Sequence, residues 1–222
     1  MSTQASDFIN KSKEKASDRV HRKTINFNIG KYNAVVPQGK QQFAELHLAR
    51  ERAKNIKWKA IENLDSQLET FEAMITQRGA QVMWAEDANE ALDHILKICQ
   101  AKNCKTLVKS KSMVTEEIHL NDFLAKNNID SIETDLGEYI QQLDNEPPYH
   151  IVTPAMHKSK EDIAQLFADK LGTPPHLTPE QLTLVARDVL REKYRQAEVG
   201  VTGANFIISD IGGIAITENE GN

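Results

Sequence analysis

Cysteine is nearly absent: Cys99 and Cys104 are the only two among 222 residues. Two thiols cannot build a disulfide framework, and they fall short of the ~4 thiolates that an iron–sulfur cluster takes. A reducing, cytoplasmic setting is expected, with no cluster on this chain alone. Long apolar runs are missing too. No stretch approaches the ~18 residues of a membrane span, and the first seven residues carry no apolar signal-peptide core. Aromatic residues make up only 6%, and those near the N-terminus (Phe8, Phe27, Tyr32, Phe43, Trp58) do not interleave with basic residues as base-stacking surfaces do. There is no His-x-x-x-His or paired-cysteine zinc pattern, no Gly-x-Gly-x-x-Gly fingerprint and no Walker motif.

The composition that remains, 40% hydrophobic and 27% charged, is that of a soluble globular chain able to bury a core. Its net charge of −5 conceals an asymmetry: residues 1–60 hold 13 basic and 5 acidic residues, and residues 61–222 hold 14 and 27. A basic arm on an acidic body can bind nucleic acid, dock on a partner or fold back on its own body. The sparse aromatics and the acidic body favour the last two.

The apolar rhythm predicts three regions: a basic arm over 1–40, a helical segment over 41–79 and an α/β domain over 80–222. Within the arm, Asn28-Ile-Gly-Lys-Tyr-Asn33 and Val35-Val-Pro-Gln-Gly39 read as punctuation. Phe43, Leu46, Ala49, Ala53 and Ile56, then Ile61, Leu64, Leu68, Phe71 and Ile75, recur at helical spacing and predict two helices or one bent helix stopped by Gly79.

Strands are expected at Gln81–Ala85, Thr106–Lys109, Ile129–Glu133 and His150–Thr153. Helices follow them: one capped by Asp87, one over 115–126, one over Leu136–Leu143 and one opened by Ser159. Cys99 falls on the apolar stripe of the first of these helices, and Cys104 in the turn after it. Strand–helix alternation every 20–25 residues predicts an α/β fold with a mostly parallel sheet and helices on both faces. Thr178-Pro-Glu-Gln181 opens a further helix, and Phe206–Ser209 and Ile214–Thr217 form a hairpin around Asp210–Gly213. An uncovered sheet edge this close to Asn222 predicts a truncated domain or a missing partner, a second copy of the chain being one such partner.

In open parallel sheets ligands bind beyond the carboxyl ends of the strands. Lys109-Ser-Lys-Ser112 ends one strand and opens a helix, which suits a phosphate or carboxylate held by Lys109, Lys111 and Ser112; the plainer reading is a solvated loop with a serine cap. Glu133, Asp135 and Glu138 follow the next strand and suit acid–base work, or Asp135 simply caps a helix that Glu138 helps to close. His157 follows the fourth strand as a base or donor, or as an ordinary surface histidine. Thr202, Gly203 and Asn205 lie in a small-residue turn that lets backbone approach a ligand. Asn219 and Glu220 close the chain in a turn that either presents a carboxylate or is merely polar. No metal set is expected.

Five ordered segments, Lys109–Ile118, Glu133–Ile140, Pro154–Lys158, Gly200–Phe206 and Asn219–Asn222, resemble the N-terminal part of the lactate-utilization protein B family. These are iron–sulfur subunits of bacterial L-lactate oxidation built on a LUD domain, and the likeness runs from about Gln41 to Asn222. The resemblance implies a Rossmann-like sheet similar to the NagB/RpiA/CoA-transferase group and electron transfer during the oxidation of lactate to pyruvate beside partner subunits. It places [4Fe-4S] clusters on cysteine motifs that this chain lacks, so a longer parent protein is expected. The same likeness to CoA-transferases suggests Glu218 or Glu220 as a carboxylate nucleophile in a stand-alone enzyme acting on a thioester or sugar phosphate. A structural scaffold is the third possibility.

Overall fold

A computed structural model describes residues 3–149 and 153–217. In chain order the helices are α1 (Thr3–Ser17), α2 (Arg19–Lys40), α3 (Leu46–Glu62), α4 (Leu64–Gln77), α5 (Ala88–Ala101), α6 (Met113–Glu117), α7 (Leu120–Lys126), α8 (Leu136–Asp144), α9 (Lys160–Leu171) and α10 (Pro179–Gln196). The strands are β1 (Thr106–Lys109), β2 (Asp130–Glu133), β3 (Val199–Val201), β4 (Phe206–Ile208) and β5 (Gly213–Ala215). These elements fall into two compact units. One joins the residues up to Ala44 with Ile140–Leu184; the other joins Glu45–Tyr139 with the residues from Val185 onward.

In the first unit, Asp18 caps α2 by accepting a hydrogen bond from the His21 backbone N–H at 3.0 Å. The helix then runs unbroken through Gly30, Pro37 and Gly39, where the sequence predicts punctuation. Pro37 lies in the last turn, so it removes one backbone hydrogen bond near an end instead of breaking the middle. Side-chain contacts also hold α2: His21 Nε2 lies 3.0 Å from the Tyr149 hydroxyl, and Asn28 Nδ2 donates to the Met156 carbonyl at 2.9 Å. Tertiary contacts of this kind override weak local propensity. Ser159 and Asp162 form the reciprocal capping box that opens α9, and Phe167 on that helix is fully buried.

The second unit carries the sheet. β1 pairs in parallel with β2 on one side, from Thr106 opposite Asp130 to Lys109 opposite Glu133. On its other side β1 pairs in parallel with β3, from Leu107 opposite Val199 to Lys109 opposite Val201. The order β2-β1-β3 is all parallel, as the strand–helix alternation predicts. Leu92 and Cys99 of α5, Leu107 of β1, Leu120 and Leu124 of α7, and Cys104 and Ile129 form its buried core. Burying side chains of this size stabilises by about 1.5–3 kcal/mol each.

Asp87 caps α5 as expected, accepting from the Glu90 backbone N–H at 2.9 Å; the Glu90 carboxylate returns to the Glu86 N–H rather than to Asp87. Thr178 and Gln181 cap α10 reciprocally, at 3.3 and 2.8 Å. β4 and β5 form the expected antiparallel hairpin. Its turn needs glycine at position 212, where φ is +56° and an added Cβ would collide with the backbone of Met74 and Ile75.

Four further expectations are corrected. Gln81–Ala85 forms no strand: Trp84 donates from Nε1 to Glu72, and its carbonyl contacts His94 Nε2, so the segment is held by side chains without a ladder. The single helix over 115–126 is two, α6 and α7, separated at His119, whose φ of +54° is left-handed. The helix expected to start at Gln41 starts at Leu46, although the division into two helices, broken at Asn63, is one of the two expected alternatives. Gly200 and Val201, which open the small-residue segment Gly200–Asn205 expected to turn, belong instead to the strand Val199–Val201. Of the fourth expected strand, His150–Val152 lie outside the described residues and Thr153 is not in a strand.

Candidate functional site

The parallel register alone brings two opposite charges together. Lys109 and Glu133 are the last residues of neighbouring strands and directly opposed. Their side chains pair at 2.9 Å, and Lys109 is fully buried. Asn121 on α7 supports the pair, donating from Nδ2 to Glu133 Oε1 at 2.7 Å and accepting from Ser131 Oγ at 2.8 Å. The chains leaving the strands are laced together just beyond this pair. Thr134 donates from both its backbone N–H and its hydroxyl to the Lys109 carbonyl, each at 3.0 Å. The Ser110 N–H reaches the Val201 carbonyl at 2.9 Å, and its hydroxyl donates to Thr202 Oγ1 at 2.8 Å.

Ser112 caps α6, its Oγ accepting from the Thr115 N–H. A Cβ on Gly203 would lie 3.4 Å from Ser112 Oγ, so the turn after β3 runs close beside the Lys111–Ser112 loop. Asp135 caps the start of α8, accepting from the Glu138 N–H at 3.1 Å. This is the helix-cap role that the sequence also allows it.

Glu138 does not complete that cap. Its side chain is only 3% exposed, and Oε1 accepts no hydrogen bond from a described residue. Burial, then the nearby carboxylates of Glu116 and Glu133, push its pKa up to about 7, with Lys111 and Lys109 acting in the opposite direction. A group poised there exchanges a proton near neutral pH. Lys111 is half-buried and forms no salt bridge among the described residues. The strand ends therefore present one locked ion pair (Lys109–Glu133), one unlocked cation (Lys111) and one carboxyl near its midpoint (Glu138).

The other predicted site residues fall elsewhere. Asn205 serves the hairpin: its N–H reaches the Ala215 carbonyl at 3.1 Å, and its Oδ1 accepts from the Thr217 N–H at 2.7 Å. His157 belongs to the first unit, stacked on Tyr149 at 4.0 Å between ring centroids and hydrogen-bonded to Glu146 at 3.1 Å. Burial lowers its pKa against the opposing pull of Glu146. Glu218, Asn219 and Glu220 lie outside the described residues. Sequence reasoning missed Glu116 and Asn121; Glu116 lies in the helix directly after the Lys-Ser-Lys-Ser loop, which is the one local signal that points to it.

The two thiols do not fit a cluster. Cys99 and Cys104 are buried core residues, and burial raises the pKa of both, that of Cys104 to about 11. Among the described residues no group of three or more His, Cys, Asp or Glu side chains is arranged to hold a metal ion, and no helix is long and apolar enough to cross a membrane.

A parallel three-stranded sheet with charged residues gathered at its strand ends defines an α/β protein, and in such folds ligands bind beyond the carboxyl ends of the strands. Residues 68–222 match the LUD domain, and the chain belongs to the LUD-domain family. It is 46% identical over 174 residues to "Lactate utilization protein B" of Bacillus velezensis, an alignment covering 78% of this chain and 37% of that protein. The protein of the same name from Bacillus subtilis is 45% identical, with 78% and 36% covered. "Uncharacterized electron transport protein YkgF" of Escherichia coli is 38% identical over 220 residues, covering 99% of this chain and 46% of that protein. The chain thus spans less than half the length of these curated relatives. No solved structure matches.

Proposed function

We propose that this chain is the LUD-domain portion of an iron–sulfur electron-transfer subunit that serves the oxidation of L-lactate to pyruvate. The reading rests on 45–46% identity to proteins named for lactate utilization across 78% of the chain. The name of the Escherichia coli relative supports the electron-transport element. In this reading the domain binds and assembles, and the [4Fe-4S] clusters and the partner subunits of a lactate-oxidising complex lie with residues outside this chain. The sheet is read as Rossmann-like, of the NagB/RpiA/CoA-transferase kind. Lys111 is the anchor of a small anion at the strand ends, with Ser112 as a hydroxyl donor and Gly203 leaving room for backbone approach.

The test is growth. Deleting the gene should abolish growth on L-lactate as sole carbon source and leave growth on glucose intact. The wild-type gene should restore growth on lactate, and the Lys111→Glu gene should not. Unimpaired growth of the deletion strain on lactate would overturn the lactate assignment. Full rescue by Lys111→Glu would overturn the role of the anion site.

A further inference from the structure

Three carboxylates and two lysines face one another at the strand ends. Glu138 from α8 is surrounded by Glu116 of α6, Glu133 of β2, Lys109 of β1 and Lys111 of the loop after β1. Lys109 is committed to Glu133 at 2.9 Å. Glu138, 3% exposed, has an oxygen with no hydrogen-bond partner among the described residues. An ionised Glu138 is therefore a competitor for any anion: it occupies the field of Lys111 and repels a second negative charge where burial leaves little water to screen it.

From this geometry we infer that the strand ends take up a small oxygen anion together with one proton, and that Glu138 is the group that receives the proton. This deepens the anion-binding reading above and rests on it. The protonated Glu138 carboxyl is neutral and gains an O–H donor, so it replaces a repulsion with a possible hydrogen bond to the incoming oxygen. Glu116 and Glu133 push the same way, since each disfavours a third negative charge beside them. Glu138 is a binding and positioning residue in this account; no bond is made or broken at it.

Its ordinary behaviour sets the numbers. With a free-state pKa of about 7, binding should weaken about tenfold from pH 6 to pH 8, as protonated Glu138 falls from most of the population to about a tenth. Net uptake should be about 0.9 proton per anion at pH 8 and about 0.1 at pH 6.

The experiment is isothermal titration of the chain in paired buffers of different ionisation enthalpy, which counts protons directly. Sulfate and L-lactate are the probes, because neither titrates between pH 6 and pH 8. One tests a tetrahedral oxyanion, the other a carboxylate, and whichever binds identifies the source of the charge. Glu138→Gln, which mimics the protonated carboxyl, should bind with the same affinity at both pH values and take up no proton. Saturable binding with no proton uptake, or uptake that survives in Glu138→Gln, would overturn the inference while the anion site stood. Absence of saturable binding by either probe at pH 6 would remove the anion site itself, and the proton linkage with it.

Discussion

Replacing Lys109 with methionine is expected to cost about 3–5 kcal/mol of stability, because it strands a buried carboxylate. Lys109 is fully buried and pairs with Glu133 at 2.9 Å. Methionine fills much of the same volume, so loss of packing is a minor part of the effect. What remains is Glu133, 4% exposed, beside Glu138 and deprived of the Lys109 ammonium. The Asn121 hydrogen bond at 2.7 Å offsets only part of that charge. The double variant Lys109→Met/Glu133→Met should recover most of the loss, since removing both members of a buried pair also removes both desolvation costs. Urea denaturation of the single and double variants measures this. A single-variant loss below about 1 kcal/mol would show that the pair is effectively solvated.

The second large effect is a pH-dependent one. Glu138→Gln should stabilise the protein at pH 8 and leave it nearly unchanged at pH 4. The carboxyl has a folded pKa raised by burial to about 7, from the ordinary value of 4.5. Between those values the folded state binds more protons than the unfolded state, so stability falls as pH rises through that window and levels off above about 7. The full cost of ionising the group is roughly 3 kcal/mol. Glutamine never ionises and escapes it. Melting curves of both proteins from pH 4 to pH 8 should diverge with rising pH, the variant melting higher at the alkaline end. Parallel curves would mean that Glu138 titrates as an exposed carboxylate does.

Local chemistry made much of this fold readable. The caps at Asp87, Ser159 and Thr178 are written in three or four consecutive residues, and the helices they open follow. β1 and β2 were legible as short apolar runs between turn signals. β3 was not: it is three residues long, contains Gly200, and exists because its backbone pairs with β1. The reverse error at Gln81–Ala85 has the same origin, an extended pattern that finds no neighbouring strand. α2 was obscured by Gly30, Pro37 and Gly39, whose cost is met by contacts with Tyr149 and Met156, far away in sequence.

The site divides the same way. That Lys109, Lys111, Glu133 and Glu138 follow strand ends is a matter of chain order and could be read. That Lys109 is locked to Glu133 follows from a register of two strands, and that Glu116 disfavours the charge of Glu138 follows from the tertiary fold. Neither is encoded in spacing along the chain. His157, which looked equivalent to these residues in the sequence, has its own partners, Tyr149 and Glu146, in the first unit.

The central claim is that Lys111 makes the strand ends an anion site, and the most direct measurement is anion binding to Lys111→Glu beside the wild type. At pH 6, where Glu138 is largely protonated, sulfate or L-lactate should bind the wild-type chain saturably. Binding to the variant should fall at least about a hundredfold, as expected when an attraction becomes a repulsion at contact distance. The variant should still melt cooperatively, somewhat below the wild type, because its new carboxylate joins those of Glu116 and Glu133. Equal affinity in the two proteins would contradict the account.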